Sequence, residues 1–269
     1  MKKIGSYHVL ETLQQRSTNT LFVGEHETTQ KLAVLRMSNT PDWNDQVSVK
    51  GRMLSSVKHP SVVEIYEQGT QRENSGTVAY FAAEFAKGKP LQELMEHQAE
   101  IPLRDKLELM VKVCEGVHVL NGAGHVCLCT PDDIIAKDGS IKIVDVHAML
   151  PPNLQTSARV IQTRAKRIPF WSPELITGEK DRDRREDVFA LGLMTYFFVA
   201  GEDPFKTAIP IDRAEKVLNE SAPPLSAVLK DCPTALEAAV KKSLKKDRKL
   251  RQQTVREFGA DLRLVSASL

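Results

Sequence analysis

Two carboxylates, Asp133 and Asp145, bracket a short apolar repeat that turns at Asp138-Gly139, with Ile134-Ile135 before the turn and Ile141 to Val144 after it. An Asp-Gly pair between two such runs is a hairpin signal. Asp133 therefore precedes the first strand, and Asp145 stands where the second ends. Carboxylate oxygens suit a hard cation such as Mg²⁺, while a turn carboxylate at Asp133 and a strand-end cap at Asp145 are the structural alternatives. The loop leading in reads Val-Cys-Leu-Cys-Thr-Pro-Asp-Asp over 126–133. Leu128 at its centre offers neither a lone pair nor a titratable group, so it does no acid-base work. Cys127 and Cys129 lack a nearby His or second Cys pair, which argues against a zinc site and for buried, reduced thiols.

The elements that must position these residues are legible on either side. A helical run over 107–123 precedes the loop and stops at Gly122 and Gly124, residues suited to the left-handed stop conformation. Upstream, 7–13, 20–26 and 31–37 alternate as strands, 42–57 reads as a helix, and 62–66 and 77–83 read as further strands. Beyond about residue 90 the chain is mainly helical, including a helix over 187–199. With 269 residues, 41% of them hydrophobic, the chain can bury a large core. A net charge of +2 does not by itself imply nucleic acid or an anionic membrane. No stretch approaches the roughly 20 apolar residues of a membrane helix, and the N-terminus lacks the apolar core of a signal peptide. A cytoplasmic location is the expectation.

The chain resembles the catalytic core of eukaryotic-type Ser/Thr protein kinases along nearly its whole length. The family's His-Arg-Asp-Leu-Lys-Pro-Glu-Asn falls on 126–133 and its Asp-Phe-Gly on Asp145, Val146 and His147. Ser172-Pro173-Glu174 stands for Ala-Pro-Glu, with Arg251 where the partner arginine belongs. The Gly-x-Gly-x-x-Gly loop falls on Gln14 to Asn19 without one glycine. Val-Ala-Ile-Lys corresponds best to Leu32, Ala33, Val34 and Leu35, so that Leu35 replaces the phosphate-gripping lysine, although a one-residue slip would put Arg36 there. Counting back from Lys58-His59-Pro60 puts Lys50 in place of the ion-pairing glutamate. Leu128 replaces the catalytic aspartate and Thr130 the loop lysine.

The resemblance implies an α+β, two-lobed fold in one domain over 1–269. It comprises a small antiparallel sheet plus one helix over about 1–86, a hinge over about 84–89, and a larger, mainly helical lobe over about 90–269. Ala33, Leu21 and Ile135 would sandwich an adenine ring, the backbone of Glu84 and Ala86 would meet its edge, and Ala83 would be a small gatekeeper. Asp133 and Asp145 are the metal candidates. Ile65, Leu54, Val146 and Val126, anchored by Asp187, would form the stack linking the lobes, and Glu174 with Arg251 a buried ion pair.

With scaffold positions kept and the chemical positions Leu35, Lys50, Leu128 and Thr130 changed, the expectation is a catalytically inactive pseudokinase. It would act as a protein-binding scaffold or allosteric regulator in signalling, with no cofactor. The alternative is a nucleotide- or metal-binding sensor or low-activity phosphotransferase, with ATP and Mg²⁺ at Asp133 and Asp145, and with Arg16, Arg36 or Lys50 replacing the lysine. Lys50 meeting Asp145 would make a ligand-free latch; the alternative is that Lys50 reaches solvent from an outward-swung helix. A protein partner, such as an active kinase or signalling component, would dock at Arg159, Arg164, Lys166 and Arg167. Nucleic acid is disfavoured because the basic runs lack interleaved aromatics.

Overall fold

The N-terminal strands assemble because their apolar residues alternate and their turns carry glycine or polar residues. The computed structural model describes residues 2–146 and 170–269. Strands β1 (Lys3–Ile4), β2 (Tyr7–Gln15), β3 (Asn19–His26) and β4 (Leu32–Ser38) are followed by helix α1 (Asn44–Ser55) and strands β5 (Ile65–Glu73) and β6 (Gly76–Glu84). They form one sheet in the order β1-β2-β3-β4-β6-β5, every pairing antiparallel. The edge strand β5 reads Ile-Tyr-Glu-Gln-Gly-Thr-Gln-Arg-Glu, and charged, polar side chains on an edge discourage pairing with another chain.

Both faces of the sheet are covered. On the outer face Ala33, Leu35 and Met37 of β4 join Ile4, Tyr7, Phe22, Val78, Tyr80 and Ala82 in a compact cluster. Period-two alternation sends Val34, Arg36 and Ser38 to the inner face, where α1 packs. Helix α1 buries Val47, Lys50, Gly51, Met53 and Leu54, the three-and-four spacing of a single helical face.

The second lobe holds a small sheet, β7 (Lys89–Pro90), β8 (Ile134–Lys137) and β9 (Ser140–Ile143), in the order β7-β8-β9. Around it lie α2 (Leu91–Glu96), α3 (Leu103–Gly122), α4 (Pro173–Thr177), α5 (Arg185–Ala200), α6 (Pro210–Asn219), α7 (Thr234–Ser243) and α8 (Val255–Ser268). Asp138 and Gly139 both take positive φ, +47° and +71°, the signature of a tight hairpin turn between β8 and β9. Helix α5 is buried without a break from Glu186 to Tyr196, as a helix at the centre of a large core must be.

One apolar cluster runs through both lobes, from Val47, Leu54, Phe81 and Ala83 into α3 and α5. Leu54 and Val146 are wholly buried in it, and Ile65 and Val126 pack against it half-buried. The strand expected over 62–66 starts later because Val62 and Val63 serve another purpose. Val63 N–H donates to Ile143 O at 3.1 Å and Ile143 N–H to Ser61 O at 2.8 Å, tying the chain after α1 to β9. Lys142 on β9 also reaches Glu84 at 2.7 Å. The lobes are thus joined by backbone hydrogen bonds and an ion pair as well as by the connecting chain.

Candidate functional site

The loop at 126–130 is positioned by the buried start of α5. Asp187 accepts hydrogen bonds from Cys127 N–H at 3.0 and 3.1 Å, Leu128 N–H at 2.7 Å and the Asn121 side-chain amide at 2.8 Å. Burial pushes the Asp187 carboxyl up, opposed by these same hydrogen bonds. Leu128 sits at φ +49°, a conformation that non-glycine residues adopt only when their surroundings hold them there. The loop geometry therefore persists with leucine at its tip. Thr130 turns inward, and both its N–H and its hydroxyl donate to Asp133 Oδ2, at 2.8 and 2.7 Å. Asp133 thus closes a turn ahead of β8.

Asp145 is the centre of the cleft. It is 2% exposed and meets three cations: Lys50 at 2.7 Å on Oδ1, Arg36 at 2.8 Å on Oδ2, and Arg16 at 3.4 Å on Oδ2. Val146 N–H adds a hydrogen bond to Oδ1 at 2.9 Å. Lys50 reaches it because position 50 lies on the buried face of α1. Burial drives the Lys50 ammonium down to about 8; Asp145 opposes the shift, while Arg36 adds to it.

Arg36 corrects the sequence-based alignment of β4. Leu35 is wholly buried in the outer cluster beside Phe22, as is Ala33, so neither faces the cleft. Arg36 does, paired in register with Leu21 and Phe81. Val34 rather than Ala33 lies on the cleft side, paired with Val23 and Ala83. The cause is that β4 carries apolar residues on both faces, so alternation alone does not fix which face is inward. Arg36 is 3% exposed, and its Nε and Nη1 find no hydrogen-bond partner among the described residues. Buried donors left unpaired cost about 1–3 kcal/mol each, more when charged.

The loop between β2 and β3 carries no glycine and is tied down by side chains. Arg16 bonds Gln14 Oε1 at 2.8 Å as well as Asp145. Asn39 holds the loop from behind: its side-chain amide donates to Arg16 O at 2.7 Å and Ser17 O at 3.2 Å, and its N–H to Thr18 O at 3.1 Å. Asn39 was not singled out in the sequence; an amide just after a strand is a common turn residue and gives no signal of its reach.

At the hinge, Glu84 N–H donates to Glu64 O at 2.8 Å and its carboxylate holds Lys142, so only its carbonyl side remains for a ligand edge. Ala86 packs against the main core, and Ile135 is half-buried beside Gly88. Gly88 has φ +143°, and a Cβ there would lie 2.3 Å from Ala136 O, so only glycine lets the hinge cross β8 this closely.

Further down, Arg251 makes a two-pronged pair with Glu174 at 2.6 and 3.2 Å, both nearly inaccessible. It also donates to the carbonyls of Lys245, Lys246 and Arg185 at 2.7, 2.9 and 3.0 Å. Arg159, Arg164, Lys166, Arg167 and His147 lie outside the described residues.

The geometry fits a polyphosphate and does not fit a metal. Arg36 presents buried donors without partners among the described residues, beside two more cations, which suits phosphate oxygens. Both oxygens of Asp145 are already in ion pairs and Asp133 Oδ2 is engaged by Thr130, so the carboxylates that would face a metal are taken up by protein groups. No described helix is long and apolar enough to cross a membrane.

Known proteins bear on this geometry. The protein kinase domain model matches residues 7–258. The serine/threonine-protein kinase PknB of Mycobacterium leprae is 27% identical over 212 residues, covering 77% of this chain and 34% of that protein. A probable serine/threonine-protein kinase PknB of Corynebacterium glutamicum is 26% identical over 240 residues, covering 86% and 37%. The chain thus spans about a third of the length of these relatives. The kinase domain of Mycobacterium tuberculosis PknI, in the crystal structure of a point mutant, superposes with a TM-score of 0.73 at 17% identity, covering 99% of this chain and 97% of that one, and so shares the fold.

These relatives overturn the expectation of a non-enzymatic pseudokinase scaffold, since they are named as serine/threonine-protein kinases. One premise of that expectation fails in β4. It took the strand cation as lost with Leu35, whereas Arg36 stands in the cleft with Lys50 beside it. With the family model matching nearly its whole length, the two-lobed fold in place and the cleft where the family carries its chemistry, this chain belongs to the protein kinase domain family.

Proposed function

We propose that this chain is an ATP-dependent phosphotransferase acting on serine or threonine hydroxyls of a protein, with Arg36 as the phosphate-gripping cation. The observation that carries the reading is the Arg36 guanidinium, 3% exposed, with Nε and Nη1 lacking partners among the described residues. The relatives' names support the reaction class, and the chain is read as one domain hinged near 84–89.

Phosphoryl transfer asks little covalent chemistry of a protein and depends mainly on positioning and charge. In this reading Leu21 and Val34 roof the base, Ile135 floors it, and the Glu84 carbonyl and Ala86 backbone meet its edge. Arg36, Lys50 and Arg16 hold the phosphates. Asp187 fixes the loop bearing Leu128, beside which the acceptor hydroxyl would lie. Leucine there supplies no general base, a contribution worth about 10²–10⁴-fold, so turnover is expected to be slower by that order than in a kinase carrying aspartate.

The test is transfer of label from γ-labelled ATP to a serine/threonine protein substrate by the wild-type chain and by Arg36→Met. Slow incorporation that is lost in the variant is expected. Incorporation no greater in wild type than in Arg36→Met overturns the assignment.

A further inference from the structure

Asp145 holds the position where the family would present a metal-binding carboxylate, yet its oxygens face Lys50 at 2.7 Å, Arg36 at 2.8 Å and Arg16 at 3.4 Å. We infer that the cleft binds nucleoside triphosphate as the free polyanion, with these cations supplying the charge neutralisation a divalent metal would otherwise bring. The inference rests on the nucleotide reading above and specifies the ionic form of the ligand.

Three cations surround one carboxylate, and Asp133 is the other acidic group acting on Lys50. Counted over these described residues, the cations outnumber the carboxylates, three to two. Two of its members are deeply buried, Lys50 at 6% and Arg36 at 3% side-chain exposure. A divalent ion seated on Asp145 would have to displace both from its oxygens, exchanging two buried ion pairs for one metal contact. A free triphosphate demands no such exchange. Asp145 stays paired, and the phosphate oxygens take the donors of Arg36 that have no partner among the described residues.

The loop over the site points the same way. A glycine loop neutralises phosphate with backbone amides, whereas here Arg16, pinned through Asn39, brings a side-chain cation from above. Lys50 comes from α1, Arg36 from β4 and Arg16 from the β2–β3 loop, so the charge is delivered from three elements that converge on one carboxylate.

The test is calorimetric titration of the full chain with ATP, in EDTA and again in excess Mg²⁺. Binding in EDTA that is at least as tight as in Mg²⁺ is expected. Lys50→Met should weaken binding in EDTA by about tenfold or more, the worth of one charge-assisted hydrogen bond. It should also make Mg²⁺ strengthen binding, since Asp145 loses its tightest competitor. Should Lys50→Met not fold, Arg16→Gln serves, because Arg16 is partly exposed on a loop: weaker binding in EDTA with unchanged melting is expected. Binding seen only with Mg²⁺ overturns this inference and leaves the nucleotide reading standing. Binding in neither buffer overturns both.

Discussion

Replacing Asp145 with asparagine should act on this chain in the opposite sense from removal of a metal ligand. The substitution keeps the size of the side chain and its acceptor for Val146 N–H, but removes the charge that compensates Lys50 and Arg36. Both are nearly inaccessible, with side-chain exposures of 6% and 3%. Breaking a buried pair from one side costs about 3–5 kcal/mol. For a chain of this size, about 2 °C of melting temperature accompanies each kcal/mol, so the variant should melt roughly 6–10 °C lower. The lower end is favoured because Lys50, already held down to about 8, sheds its proton more readily once Asp145 no longer opposes the shift. Saturating ATP in EDTA should recover much of the loss, because phosphate replaces the missing anion, and affinity should exceed that of wild type. Differential scanning fluorimetry with and without ATP reads both effects. Melting within about 1 °C of wild type, together with loss of ATP binding, would refute the reasoning and make Asp145 a ligand of bound metal–nucleotide.

Three further outcomes follow from the same contacts. Glu174→Ala leaves the Arg251 guanidinium buried against three carbonyls without the carboxylate it contacts, and should lower the melting temperature by an amount corresponding to about 3–5 kcal/mol; unchanged melting would remove the pair from the account. Asp187→Ala strips the acceptor from Cys127 N–H, Leu128 N–H and the Asn121 amide, at about 1–3 kcal/mol per buried donor, and should release Leu128 from positive φ; retained transfer activity would show that the loop needs no such anchor. Leu128→Asp returns a carboxylate at the loop tip, in a backbone conformation aspartate tolerates better than leucine. It should raise the transfer rate by about 10²-fold or more, measured with γ-labelled ATP, and a rate equal to wild type would mean the acceptor hydroxyl lies elsewhere.

The two-lobed fold was readable because its signals are local and repeated. The Asp138-Gly139 turn, the buried spacing of α1 and the unbroken apolar run of α5 each specify an element without reference to the rest. The cleft was readable only in part. Positions 47, 50, 51 and 54 share one helical face, so an inward Lys50 was readable as one of two alternatives, the other being a side chain reaching solvent. Arg36 could not be, since Ala33, Leu35 and Met37 are as apolar as Val34, and only the cover that β1 and Tyr7 give the outer face decides which row points at the site. The tie from Asn39 to the β2–β3 loop depends on backbone carbonyls, which leave no trace in side-chain chemistry. That one-residue ambiguity bears on one of the changed positions behind the expectation of inactivity: with Leu35 inward the site lacks its strand cation, and with Arg36 inward it has one, while Lys50, Leu128 and Thr130 stand where the sequence put them.

Comparing the ATP affinity of the wild-type chain with that of Arg36→Met by calorimetry addresses the central claim most directly. Arginine holding the phosphates predicts measurable binding in wild type, at least about tenfold weaker in the variant. Equal affinity in the two proteins, or no binding by wild type, would contradict it.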